Sequence, residues 1–247
     1  MFPESPYYQV NREERHFGFL FMSALALNFD ARQELIAYIN SNIEGKIDPS
    51  QIDVYAEVSL FRDHWRALGD PAKYSANTHS LRLQIFSQML EAMDIDPAMI
   101  ESEPVFWTGR PGESKLYYPG KWHKNKIDNT EHARGLKNKE LWRLRWACNA
   151  KPDVMIEDPE NVVFVEIKVE SDFGKSDNGY SQVQTQEDIL KIAKKLIPSM
   201  AKKRTELTTL TLDGNGLVWS EIIRILEATA TPKVFEMVNR HLVAMLK

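Results

Sequence analysis

The sequence predicts an α/β protein, with a central mixed sheet flanked by helices and a helical insertion. Three observations predict it. Apolar residues recur at steps of three and four through much of the chain, which is helical spacing. The run Val162-Val-Phe-Val-Glu-Ile-Lys-Val169 is rich in β-branched residues and reads as a strand. Finally, residues 152–212 give the order strand, turn, strand, helix, strand, so the sheet has helices between its strands.

The elements follow in order. Residues 1–11 form a lead-in arm, and Asn11 stands three positions before Glu14 at capping-box spacing. Phe17, Leu20, Phe21, Ala24 and Leu27 then mark a first helix, and a second covers about 31–40. Val54, Val58, Phe61, Trp65 and Leu68 suggest a helix stopped by Gly69-Asp70-Pro71. Another runs from about Thr78 to Met93, with Leu81, Ile85, Met89 and Ala92 on one face. Val105–Trp107, Lys115–Tyr118 and Leu144–Cys148 compete for the first core strand. Asp153–Ile156, the turn Glu157-Asp-Pro-Glu-Asn161 and the strand 162–169 make an antiparallel hairpin. A loop at 172–179, an amphipathic helix over 181–196, a strand at 207–212 and helices at 217–229 and 232–246 complete the chain. The expected organisation is one domain over 1–247. It has a helical insertion at 31–93, a sheet core at 104–212 containing the hairpin 152–169, and terminal helices over 217–246.

Composition narrows the function. The 247 residues are 43% hydrophobic and include six Trp, eight Tyr and eleven Phe, far too many for a solvated chain. A lone Cys148 excludes an intrachain disulfide framework and fits a reducing, cytoplasmic setting. The longest apolar run, 17–29, is shorter than the roughly 20 residues of a bilayer span, so no membrane partner is expected. Glu4, Glu13 and Glu14 ahead of it are wrong for the basic start of a secretory signal. The six His show no zinc-site spacing, and Gly174-Lys175-Ser176 lacks the upstream glycine of a phosphate loop.

Charge is unevenly spread. Residues 110–151 hold eleven Lys or Arg against four acids, a net of +7 within a chain of −4. Lys121, Lys124, Lys126, Arg134, Lys137, Lys139, Arg143, Arg145 and Lys151 are the candidates for contacting a nucleic-acid backbone, with Tyr117, Tyr118, Trp122, Trp142 and Trp146 interleaved for base stacking. A second cluster, Lys191, Lys194, Lys195, Lys202, Lys203 and Arg204, reads equally well as a solvated face.

The sharpest feature is Pro152-Asp153 followed by Glu166-Ile167-Lys168. Side chains alternate along a strand, so Glu166 and Lys168 share a face, and the hairpin brings Asp153 beside them. Two carboxylates and an ammonium then meet at one end of a sheet, in a strand otherwise apolar enough to be buried. Such a cluster is costly to bury unless something binds there. Two carboxylates with waters and substrate phosphate satisfy Mg²⁺, and a neighbouring lysine can orient water or stabilise phosphate charge. The chemistry these parts suit is metal-assisted phosphodiester hydrolysis. The competing reading is a surface hairpin whose Glu166 and Lys168 simply pair.

On these residues the chain resembles the PD-(D/E)XK nuclease superfamily, the restriction-endonuclease-like fold, over about a third of its length. The resemblance implies a Mg²⁺-dependent nuclease, with Mn²⁺ as a substitute, in which Asp153 and Glu166 hold the metal and Lys168 assists the attacking water. It implies an inward glutamine on the following helix, Gln186 or Gln182, and a metal-completing acid on the first helix, Glu14 or Glu13. DNA is the substrate it suggests, in defence or DNA processing, with a homodimer left open. The alternative is a non-catalytic nucleic-acid-binding or protein-interaction module on the same fold.

Overall fold

The structure, a computed structural model, describes residues 14–69, 75–128, 131–169, 181–214, 216–229 and 243. The lead-in arm, Asn11 and Glu13, the loop 172–179 and nearly all of the helix expected at 232–246 lie outside the described residues. In chain order the elements are α1 (Glu14–Leu27), α2 (Phe29–Asn40), β1 (Asp53–Ala56), α3 (Leu60–Ala67) and α4 (Ala76–Ala92). Then come α5 (Lys124–Asp128), α6 (Asn138–Asn149), β2 (Val154–Glu157), β3 (Asn161–Ile167), α7 (Gln182–Leu196), α8 (Pro198–Ala201), β4 (Arg204–Thr211), β5 (Leu217–Val218) and α9 (Trp219–Ala228). No described helix is long and apolar enough to cross a membrane.

The α/β class holds: five strands form one mixed sheet in the order β1-β2-β3-β4-β5. β1, β2 and β3 pair antiparallel, β4 runs parallel to β3, and β5 parallel to β4. The chain divides into two compact units. The sheet unit takes the described residues of 1–58, 152–174 and 203–247, and the helical unit those of 59–151 and 175–202.

In the sheet unit, alternation along β2 and β3 sends Val154, Ile156, Val163, Val165 and Ile167 to one face. There they join one apolar core with Phe17, Phe21, Leu35, Ile39, Trp219 and Ile222 from α1, α2 and α9. Val162, Phe164 and Glu166 belong to the opposite face. α1 approaches β3 closely because residue 18 is glycine: a Cβ there would meet Ile167 Cδ1 at 3.2 Å. α1 ends before Asn28, whose side-chain oxygen accepts the Ala31 N–H at 3.1 Å and caps α2. At the β2–β3 turn, Asp158 accepts the backbone N–H groups of Asp48, Glu160 and Asn161, which fixes the hairpin register.

The helical unit packs Phe86, Phe106 and Trp122 ring against ring, with centroids 4.9–6.2 Å apart. Arg143 of α6 holds Asp188 of α7 through two hydrogen bonds, of 3.2 and 2.8 Å.

Several expected elements differ. The first core strand is β1 at Asp53–Ala56, inside the segment read as helix and inside the expected insertion 31–93. The helical spacing of Val54, Val58 and Phe61 was accidental. Glu57 takes a left-handed backbone (φ 54°) that separates β1 from α3. α2 and β1 therefore belong to the sheet unit, and the helical unit begins at Ser59 instead of 31. None of the three competing segments is a sheet strand. Pro104–Phe106 is a 3₁₀ turn, Trp107 and Leu116 form one isolated bridge, and Leu144–Cys148 lies in α6. The core expected over 104–212 thus loses its first half to helix, and the region from 217 opens with the short strand β5 before α9.

Candidate functional site

The hairpin register carries past the end of β2. Val154 faces Val165, so the next step sets Asp153 opposite Glu166. On the other side Ala56 faces Val154, and the Glu57 N–H donates to the Asp153 carbonyl at 3.2 Å. Glu166 in turn lies level with Thr209 of β4. Glu57, Asp153 and Glu166 therefore occupy consecutive positions across one end of the sheet.

Each acid has a defined hold. The Asp153 Oδ2 accepts the Ile167 N–H at 2.8 Å. The Lys168 ammonium donates to Glu14 Oε2 at 3.1 Å and stands 3.6 Å from Glu166 Oε1. Glu57 pairs with the exposed Arg15 at 3.5 Å. Glu166 and Lys168 are buried, 5% and 6% exposed, which is unusual for a strand-borne acid and base. The backbone at Lys168 is fixed on both sides: its N–H donates to the Leu210 carbonyl, and its carbonyl accepts from the Trp219 indole at 3.3 Å.

The electrostatics follow from this crowding. Burial pushes the Asp153 carboxyl up to about 6; the Ile167 N–H and Lys168 oppose the shift, and the charges of Glu57 and Glu14 add to it. Four acids (Glu14, Glu57, Asp153, Glu166) lie at this end of the sheet, with Arg15 and Lys168 among their partners.

The expected set is thus partly assembled. Glu14, Asp153, Glu166 and Lys168 come together. Gln186 is buried in the helical unit, and its side-chain amide donates to the Lys151 carbonyl at 3.5 Å. Gln182 was expected to face inward and is exposed instead. It is the first residue of α7, beside the Ser181–Gln184 capping box, and the buried face of that helix begins only at Thr185.

Glu57 is the residue that sequence reasoning missed. Its signal was weak: an acid between a four-residue strand and Ser59, hidden in an apparent helix.

Of the nine basic candidates, Lys121, Lys124, Lys137 and Lys139 are exposed and able to meet phosphates. Lys126 is half-buried with its ammonium 5.9 Å from the Tyr117 ring centre, and Lys151 is half-buried. The side chain of Arg134 lies outside the described residues. Two half-buried candidates already have partners within the unit. Arg143 is committed to Asp188, and Arg145 donates to the Trp122 carbonyl at 2.9 Å while stacking 4.9 Å from the Trp142 ring. Trp122, Trp142 and Tyr118 are buried and pack the unit rather than offering faces to bases. In the second basic cluster, Lys203 holds Glu157 and the Asp158 carbonyl at the hairpin turn.

Among the described residues, no three His, Cys, Asp or Glu side chains converge as a ready metal site. Mg²⁺ needs fewer, since it takes one or two carboxylates and completes its shell with water and phosphate oxygens. Asp153 and Glu166 supply hard oxygen donors from facing positions. In donor chemistry the pair fits Mg²⁺ or Mn²⁺. Comparison with family models, with curated proteins and with solved structures finds no match.

Proposed function

We propose that the chain is a metal-dependent nuclease that hydrolyses phosphodiester bonds, with its reaction centre at Asp153, Glu166, Lys168 and Glu14. The observation that carries this reading is the convergence of those four side chains at one end of the sheet, with Glu166 and Lys168 buried and Asp153 and Glu14 half-buried. Once the helices inserted between them are set aside, α1, the antiparallel strands β1, β2 and β3, α7, and β4 parallel to β3 follow the order of a restriction-endonuclease-like core, which also supports this reading. Asp153 and Glu166 would hold Mg²⁺ or Mn²⁺. Bound there, the metal would lower the pKa of an attacking water and neutralise charge on the scissile phosphate.

The chain's own groups supply the rest. The Lys168 ammonium is held on a rigid backbone, and in a water-poor site it stabilises charge that develops on the phosphate. Glu14 orients that ammonium through its 3.1 Å hydrogen bond. Exposed Lys121, Lys124, Lys137 and Lys139 are the groups to hold a nucleic-acid backbone, DNA by resemblance.

The second reading keeps those lysines and discards the chemistry: a nucleic-acid-binding module in which Lys168 is simply the counter-ion of Glu14 and Glu166. The test is cleavage of plasmid and single-stranded DNA with Mg²⁺, Mn²⁺ or EDTA, beside Lys168→Ala. Metal-dependent cutting that falls by about 10²-fold or more in the variant supports the nuclease. Salt-sensitive binding without cutting supports the module.

A further inference from the structure

We propose that the Lys168 ammonium acts as a built-in counter-ion that competes with the metal, so that metal binding at this centre displaces it. This rests on the nuclease reading and adds a competition that the reading does not require. The ammonium stands 3.1 Å from Glu14 and 3.6 Å from Glu166, and it is nearly as buried as Glu166 itself. It therefore occupies space beside an oxygen donor assigned to the metal, and two cations so close in a buried site repel strongly.

The geometry gives the lysine somewhere to go. Its backbone is pinned by Leu210 and Trp219, so motion is confined to the flexible side chain. Its salt bridge to Glu14 does not depend on Glu166, so the ammonium can leave Glu166 and keep Glu14. A cation that takes Glu166 thus leaves Lys168 charged and tethered to Glu14, placed to meet a phosphate.

The test uses the full chain without nucleic acid. Mn²⁺ binding is followed through the electron paramagnetic resonance of the free ion, in the wild type, Lys168→Met and Lys168→Arg. Competition predicts that Lys168→Met binds Mn²⁺ about tenfold tighter or more, while Lys168→Arg, which keeps the charge, stays near wild type. Lys168→Met removes the ammonium from Glu14 and the buried Glu166 and could fail to fold. A wild-type measurement covers that case: in protein carrying ¹³Cε-labelled lysine, the Lys168 signal, identified by its loss in Lys168→Arg, should move as Mg²⁺ is added. Equal Mn²⁺ affinity in all three proteins, or Mg²⁺ binding that leaves the Lys168 signal in place, overturns the competition alone. No metal binding by any of the proteins overturns the metal-dependent reading beneath it.

Discussion

The two units handle buried charge in opposite ways. In the helical unit, the buried acids Asp188 and Glu103 stand apart, each held by its own basic and backbone donors. Asp188 receives two hydrogen bonds from Arg143, and Glu103 accepts the Val105 and Ala133 N–H groups while contacting His132 at 3.2 Å. In the sheet unit, Glu14, Glu57, Asp153 and Glu166 gather at one end of the sheet, and the Asp153 carboxyl is pushed up to about 6 by burial. Separate acids held by their own donors tie helices together; a cluster of acids around a carboxyl with a shifted pKa marks a candidate site. The contrast separates a structural ion pair from a candidate site even where both are buried.

Breaking the Arg143–Asp188 pair gives the largest expected effect. Arg143→Met leaves Asp188 charged and buried, and should cost about 3 kcal/mol in urea unfolding. The exposed lysines mark the other extreme. Lys124→Ala and Lys139→Ala should each leave stability within about 0.5 kcal/mol. Each should also lower the slope of log binding constant against log salt by about one if the side chain meets a phosphate. An unchanged slope would remove that residue from the nucleic-acid surface.

The same contrast explains what could be read in advance. Asp153, Glu166 and Lys168 were legible because strand alternation is strict, and a charged pair inside Val162–Val169 breaks an apolar run. Glu14 was legible from its place one turn before Phe17. β1 was not, since four residues are too few to show alternation, and its neighbours imitate a helix. The fates of Arg143, Arg145 and Trp122 were hidden for another reason. Composition reports that a segment is basic and aromatic, but which cations are spent on carboxylates and carbonyls depends on contacts far away in the chain. Gln182 shows the same limit at shorter range. Helical spacing puts it one turn from Gln186, but the first turn of α7 lies outside the buried face.

One preparation tests the central claim most directly. Asp153→Asn removes the charge that burial disfavours and keeps an oxygen to accept the Ile167 N–H. The folded protein binds this proton more tightly than the unfolded chain, at about 6 against 3.8. The cost of the charge is therefore fully present above pH 6, shrinks as pH falls, and is gone below about pH 4. At pH 7.5 the variant should be more stable than wild type by on the order of 1–3 kcal/mol, with the gain fading toward pH 4. The same sample should have lost metal-dependent cleavage. A variant that is stabilised and inactive marks Asp153 as an acid kept for function at a cost to the fold. A variant that is less stable than wild type, or that still cuts DNA, would contradict the account.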